Sequence, residues 1–238
     1  MADGPLSGRL ALVTGASRGI GAATAKALAA EGAHVILVAR TPGGLEEVEE
    51  AIHEAGGNAT IAPLDLVDGD SIQRLAAAIG DRWNALDILV LNAAMLGSLT
   101  PVAQIEAKEL SAVMTLNFTA QQALIAAFDP MLKKSENGRL IAVTSSVGAA
   151  PRAYWGAYGA SKAALDTLVT AYGEEVKNLA PVKVAIVDPG ATATEMRKLA
   201  YPGEDQATLK PPEAVATDIV DLVSADFETG HRHIVAKP

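Results

Sequence analysis

Arg9-Leu10-Ala11-Leu12-Val13-Thr14-Gly15-Ala16-Ser17-Arg18-Gly19-Ile20-Gly21 opens the stretch that decides the fold, which runs on through an alanine-rich segment to Glu31-Gly32 and a second apolar run, Val35-Ile36-Leu37-Val38. The two apolar runs read as strands and the segment between them as a helix, so the unit is βαβ with a glycine turn at its first corner. The glycines have separate tasks. Gly15 lets the chain leave the strand tightly, while Gly19 and Gly21 keep side chains away from the point where a pyrophosphate would meet the helix. Leading helix amides and the helix dipole would hold that anion. The spacing departs from the usual Gly-x-Gly-x-x-Gly order, and the evidence for nucleotide binding is the placement between strand and helix.

The 238 residues suit one α/β domain, 1–238, and no linker divides them. Half are hydrophobic, enough for a large core. Lys and Arg total 19 against 28 Asp and Glu, a net charge of −9 without a basic run, which argues against nucleic acid as a partner. Met1-Ala2-Asp3-Gly4-Pro5 has neither a basic n-region nor an apolar h-region. No apolar stretch is long enough to span a bilayer. The absence of cysteine excludes disulfides, thiolate nucleophiles and thiolate metal sites. A cytoplasmic protein without membrane or metal partners is the expectation.

Apolar β-branched runs recur at Ala59 to Leu64, Leu86 to Leu91, Arg139 to Thr144, Val182 to Val187 and His233 to Val235. Helical patterns fill the intervals at about Gly44 to Ala55, Asp70 to Trp83, Val102 to Lys133, Gly156 to Leu179 and Pro212 to Ser224. The alternation predicts a Rossmann-like, doubly wound, seven-stranded parallel sheet with helices on both faces, a three-layer α/β/α domain. Ligands in such sheets bind beyond the carboxyl ends of the strands.

The strand ends therefore carry the candidate residues. The second ends Val38-Ala39-Arg40, where an acid would bond ribose hydroxyls and an arginine would accept a 2′-phosphate. Arg40 together with Arg18 favours NADP over NAD. The third ends Asp65-Leu66, an acceptor for an adenine amino group beside a packing residue, or a cap for the helix near Asp70. At the fourth, Asn92-Ala93-Ala94 reads as cofactor-site scaffold, with Asn92 tying adjacent strands.

Thr144-Ser145-Ser146-Val147 ends the fifth strand, and Tyr158 and Lys162 stand four residues apart at the opening of the next helix, on one face. A phenol of pKa about 10 is a poor base at neutral pH. Lowering it to about 7 takes close to 4 kcal/mol of preference for the phenolate, for which a neighbouring ammonium and a cationic nicotinamide are sources. Ser145, thirteen residues before Tyr158, is placed to hold a carbonyl oxygen.

On these residues the chain is identified as a member of the short-chain dehydrogenase/reductase superfamily. Thr14 to Gly21 resembles its cofactor turn, Asp65-Leu66 its adenine-contact pair, and Asn92-Ala93-Ala94 its Asn-Asn-Ala-Gly stretch, with Leu91 replacing the first Asn and Ala94 the Gly. The resemblance implies that Asn117 holds a water linking the active-site lysine to solvent, and that Ser145, Tyr158 and Lys162 are catalytic. It also implies that Pro189, Gly190, Thr192 and Thr194 belong to a segment contacting the nicotinamide amide. Ser146 is a weaker candidate than Ser145 because it needs a one-residue deletion in the loop. The tail His231 to Pro238 lacks the Val-Asp-Gly-Gly ending of tetrameric relatives, so a homo-oligomer is expected as a dimer before a tetramer.

The implied activity is NADP(H)-dependent interconversion of a ketone or aldehyde and an alcohol. A catalytically silent NADP sensor of the same fold would break Ser, Tyr or Lys, and none is broken; a dehydratase or epimerase on this fold is a further alternative. Residues 191–211 read as a substrate lid whose Met196, Leu199 and Tyr201 suggest an apolar or aromatic substrate, with Tyr154 and Trp155 either lining the same pocket or packing on the loop. His231 and His233 share a face of the last strand but read as surface residues.

Overall fold

The computed structural model describes residues 4–236; Met1, Ala2, Asp3, Lys237 and Pro238, which entered the reading of the two termini, lie outside the described residues. Strands β1 (Leu10–Thr14), β2 (His34–Ala39), β3 (Asn58–Pro63), β4 (Ile88–Leu91), β5 (Gly138–Val143), β6 (Val182–Asp188) and β7 (His231–Ile234) form one sheet in the order β3-β2-β1-β4-β5-β6-β7. All neighbours pair in parallel, from Leu10 opposite His34 to Asp188 opposite Ile234. The central strands β1, β4 and β5 are buried along their whole length. A strand covered on both faces has no solvent side, which is why these runs show no polar alternation.

Helices α1 (Gly19–Ala30), α2 (Pro42–Glu54), α3 (Ser71–Gly80), α4 (Ala107–Met114), α5 (Ala120–Leu132), α6 (Ser146–Ala149), α7 (Gly156–Val176), α8 (Glu195–Ala200) and α9 (Pro212–Ser224) complete the chain. On one face Leu28, Leu45, Ile52 and Ile219 of α1, α2 and α9 pack on Val13, Val35 and Ile141. On the other, Ile72, Leu124, Phe128, Leu165 and Val169 of α3, α5 and α7 pack on Leu12, Leu89 and Leu140. The strand order reverses between β1 and β4, and that switch point opens the crevice at the carboxyl ends.

The segment Val102 to Lys133, expected as one helix, is divided. A short 3-10 turn at Val102–Gln104 precedes α4, and a π turn at Thr115–Thr119 separates α4 from α5. The extra residue of the π turn rotates the chain so that the Asn117 side chain points inward, fully buried. The 191–211 segment folds as α8, a 3-10 turn at Gln206–Thr208 and a bridge between Thr192 and Lys210. No helix among the described residues is long and apolar enough to cross a membrane.

Phe128 is 0 % exposed between α5 and the sheet. Its truncation leaves a cavity in the core, so Phe128→Ala should cost about 3–5 kcal/mol in urea-induced unfolding; a loss under 1 kcal/mol would show that this face repacks freely.

Candidate active site

Gly15 and Gly19 adopt left-handed φ angles of 66° and 56°. Gly21 is constrained by proximity instead: a Cβ there would lie 2.2 Å from the Gly15 carbonyl oxygen and 2.6 Å from Asn92 Nδ2. Only a glycine lets α1 start so close to the end of β1. The N-cap residue Arg18 gives no side-chain cap, and no acid stands in the first turn of α1. The leading amides and the positive end of the helix dipole therefore face outward without an internal anion.

Ala16 N donates to Val38 O at 3.1 Å, which draws the end of β2 beside the turn. A Cβ on Gly44 would meet Ser17 at 3.0 Å, so α2 rests on the same turn. Arg18 and Arg40 are both exposed there, and among the described residues neither forms a salt bridge. A glycine cradle with free amides and two unpaired guanidinium groups fits a dinucleotide carrying an extra phosphate.

Thr14 and Asn92 brace the crevice from below. The Thr14 hydroxyl donates to Val90 O at 3.1 Å and accepts from the amides of Asn92 and Ala93, while Asn92 Nδ2 donates to Thr14 O at 2.9 Å. Asn92 does tie adjacent strands. Gln121, which the sequence did not single out, donates to Ala93 O at 3.0 Å and Leu116 O at 2.9 Å. Asp65 accepts from Val67 N at 3.1 Å and closes its own turn, whereas the residue at the N-cap of α3 is Asp70. Leu66 is buried in the core with Leu12 and Ile72. In the loop after β6, the Thr192 hydroxyl donates to Pro189 O at 3.0 Å, and Gly190 N donates to Asp188 Oδ1. Thr194 caps α8 by accepting from Arg197 N at 3.1 Å, and its methyl lies 3.5 Å from where a Gly19 Cβ would be. This loop and the glycine turn are thus neighbours.

Ser145 sits at the N-cap of α6, and the α6 turn lies directly on α7. A Cβ on Gly148 would be 3.1 Å from Ala163 N, and one on Gly159 would be 3.1 Å from Val147 O. Two glycines allow backbone to meet backbone, which brings the turn carrying Ser145 onto the helix carrying Tyr158 and Lys162. Ser146 instead accepts from Arg152 at 3.3 Å on the exposed side. Lys162, 2 % exposed, donates to Val143 O at 2.8 Å, and its ammonium lies 5.8 Å from the centre of the Tyr158 ring. Asn117 accepts from Met95 N and donates to Met95 O, each at 2.8 Å, and donates to Ser161 at 3.0 Å. Its side chain pins the chain after β4 to α7.

Burial, and secondarily Asp188, push the Tyr158 phenol well above its usual range, while burial lowers the Lys162 ammonium to about 8. The expectation that Lys162 pulls the phenol down is outweighed here.

A family model for short chain dehydrogenase matches residues 9–205. The chain is a short-chain dehydrogenase/reductase. Among its relatives, the uncharacterized oxidoreductase YciK of Escherichia coli is 37% identical over 210 residues, covering 87% of this chain and 82% of YciK. A chain from Shigella flexneri 2a solved as a complex with NADP superposes with a TM-score of 0.92 at 35% identity, covering 98% of this dehydrogenase/reductase and 99% of that chain. A metagenomic short-chain oxidoreductase in complex with NADP gives 0.82 at 32% identity, over 96% and 99% of the two chains.

Above Tyr158, this oxidoreductase gathers Leu96 and Val147, with Leu99, Trp155, Met196 and Ala200 packed against them. Trp155 meets Tyr158 edge-on with ring centres 5.9 Å apart, and Tyr201 at the same distance on its other side. Tyr154, with a φ of 73°, turns outward, and Leu199 is 73 % exposed, so neither joins this cluster. His231 and His233 have ring centres 6.1 Å apart, and His233 bonds Asp218 at 2.6 Å. No group of three or more metal-ligating side chains occurs among the described residues.

With a folded pKa of about 8 for Lys162 against about 10.4 unfolded, the unfolded chain binds more protons between those values, so this group's contribution to stability rises with pH across that window. Replacing Lys162 by Met should remove the rise when urea unfolding is compared at pH 7.5 and 9.5; an unchanged pH slope would place the titration elsewhere.

Proposed function

We propose that this dehydrogenase/reductase uses NADP(H) in preference to NAD(H) to interconvert a ketone or aldehyde and an alcohol, with Tyr158 as the acid and base. The observation that supports this reading is the seating of the α6 turn, whose N-cap is Ser145, on α7, the helix that carries the buried Tyr158 and Lys162. Bound NADPH supplies the hydride. The high proton affinity of Tyr158 keeps it a phenol at neutral pH, ready to donate to a carbonyl oxygen as negative charge develops there. The Ser145 hydroxyl donates to the same oxygen and stabilises that charge. In the reverse direction Tyr158 must give up its proton first, which the Lys162 ammonium favours. Asn117 supports the path by which Lys162 exchanges protons with solvent, Asn92 to Ala94 form the floor, and Pro189 to Thr194 hold the nicotinamide end.

The preference for NADP rests on Arg18 and Arg40, exposed and unpaired beside the glycine turn, and accords with NADP in two solved relatives. Residues 191–211 act as a lid within one domain. The apolar cluster of Leu96, Trp155 and Met196 beside Tyr158 suits an apolar or aromatic substrate. We extend the reading to a cytoplasmic homodimer: a groove of about 470 Å³ lies between α5 and α7, bordered by Leu179 at 77 % exposure.

Two measurements test this. Tyr158→Phe should lower kcat for NADPH oxidation with a panel of aryl and alkyl ketones by about 10²–10⁴-fold while NADPH still binds; residual turnover near wild type would remove Tyr158 as the acid. Arg40→Asp should shift the ratio of kcat/KM for NADPH over NADH by about tenfold or more towards NADH, about 1.4 kcal/mol, and an unchanged ratio would take Arg40 out of the phosphate site.

A further inference from the structure

Tyr158, Lys162 and Asp166 follow one another at intervals of four along α7 and so share one face. The mechanism uses the first two. The third has a partner just as specific: Asp166 Oδ1 accepts the hydroxyl of Thr144 at 2.5 Å. Lys162 meanwhile donates to the carbonyl of Val143 at 2.8 Å. Val143 and Thr144 are the two residues before Ser145, so the helix face grips the end of β5 twice, once through a cation and once through a carboxylate. Thr144 is also fixed from the other side, its amide donating to Val187 O of β6 at 2.8 Å. The second oxygen of Asp166 pairs with Arg232 of β7, and the Asp166 side chain is only 13 % exposed.

We propose that Asp166 is a positioning residue for the reaction: held by Thr144 and Arg232, its carboxylate fixes the strand end that carries Ser145 and supplies the negative charge that keeps Lys162 an ammonium. The roles given to Ser145 and Lys162 are those of the proposed function, on which this inference rests. Its electrostatic half follows from what surrounds the lysine. Lys162 is buried with a neutral carbonyl as its hydrogen-bond acceptor, an arrangement that disfavours the charged form. Facing this region are Tyr158 and Asp166 on α7, Asp188 on β6 and Arg232 on β7, while the end of β5 offers only the hydroxyls of Thr144 and Ser145. Burial lowers the lysine and Asp166 raises it. Arg232 acts against Asp166 electrostatically but holds it in place.

The two contributions separate by mutation. Asp166→Asn keeps an acceptor for Thr144 and removes the charge, whereas Thr144→Val keeps the charge and removes the bond. The titration of Lys162 Nζ would be followed by ¹⁵N NMR on the full-length protein without substrate, and the pH profile of kcat measured on the same variants with NADPH and the ketone panel. In Asp166→Asn the Lys162 midpoint should fall by about one pH unit or more, a tenfold change in proton affinity, and the alkaline decline in kcat should move down with it. In Thr144→Val the midpoint should stay in place while kcat drops about tenfold at every pH, and Asp166→Glu, which retains the charge, should keep the Lys162 midpoint near its wild-type value. Arg232→Gln removes the opposing cation and should raise the midpoint, which keeps the test decisive even where Asp166→Asn fails to fold. A Lys162 midpoint unmoved in Asp166→Asn and Arg232→Gln would overturn the electrostatic half; wild-type kcat in Thr144→Val would overturn the positioning half. Wild-type protein that reduces no ketone would count against the proposed function alone, since the NMR titration needs no turnover.

Discussion

A buried ammonium has to end on something, and in this chain Lys162 ends on the carbonyl of Val143. With the Thr144 hydroxyl on Asp166, that bond fixes helix α7 to the end of strand β5, and the geometry of the candidate site depends on it. Val143 is the last residue of β5. The lysine is there because its spacing from Tyr158 puts both on the face of α7 that looks at the strand end. Glycine at 148 and 159 removes the side chains that would otherwise hold the α6 turn off the helix. Strand, turn and helix are thus locked before any ligand arrives, which is what preorganisation of a reacting centre requires.

The other half of the site is built on the same economy of contacts. Gly21 beneath Gly15, Thr14 against Asn92, and Ala16 against Val38 bind the ends of β1, β2 and β4 into one floor. The order of strands creates the crevice, and these bonds keep it at a fixed width. Thr194, reaching over to Gly19 while capping α8, joins that floor to the segment that passes above the aromatic cluster of Trp155, Tyr158 and Tyr201.

The parallel sheet could be read from the chain because each buried strand is a continuous apolar run and each interval carries helical periodicity. The glycine turn and the Tyr158–Lys162 pair were legible for the same local reason: both are defined by spacing over a few residues. What escaped reading is non-local. The break between α4 and α5 is set by Asn117 reaching back to Met95, a contact no window of helical pattern contains. The supports given by Gln121 and Asp166 depend on strand ends that are distant in sequence, and glycines 148 and 159 resemble ordinary small residues until α6 is seen lying on α7. Asp65 closes its own turn on Val67 N and Leu66 packs in the core, local roles that the types of the two residues alone did not state. The competition between burial and charge at Tyr158 likewise depends on depth, which sequence does not state.

Arg18 and Arg40 are solvent-exposed and form no salt bridge among the described residues. Their pull on a phosphate travels through water and mobile ions, over a Debye length of about 8 Å at physiological salt. Lys162, sealed beneath the aromatic cluster, acts through protein. On the proposed function, discrimination between the two dinucleotides would therefore be sensitive to ionic strength, whereas the proton chemistry at the opposite end of the same crevice would be shielded from salt.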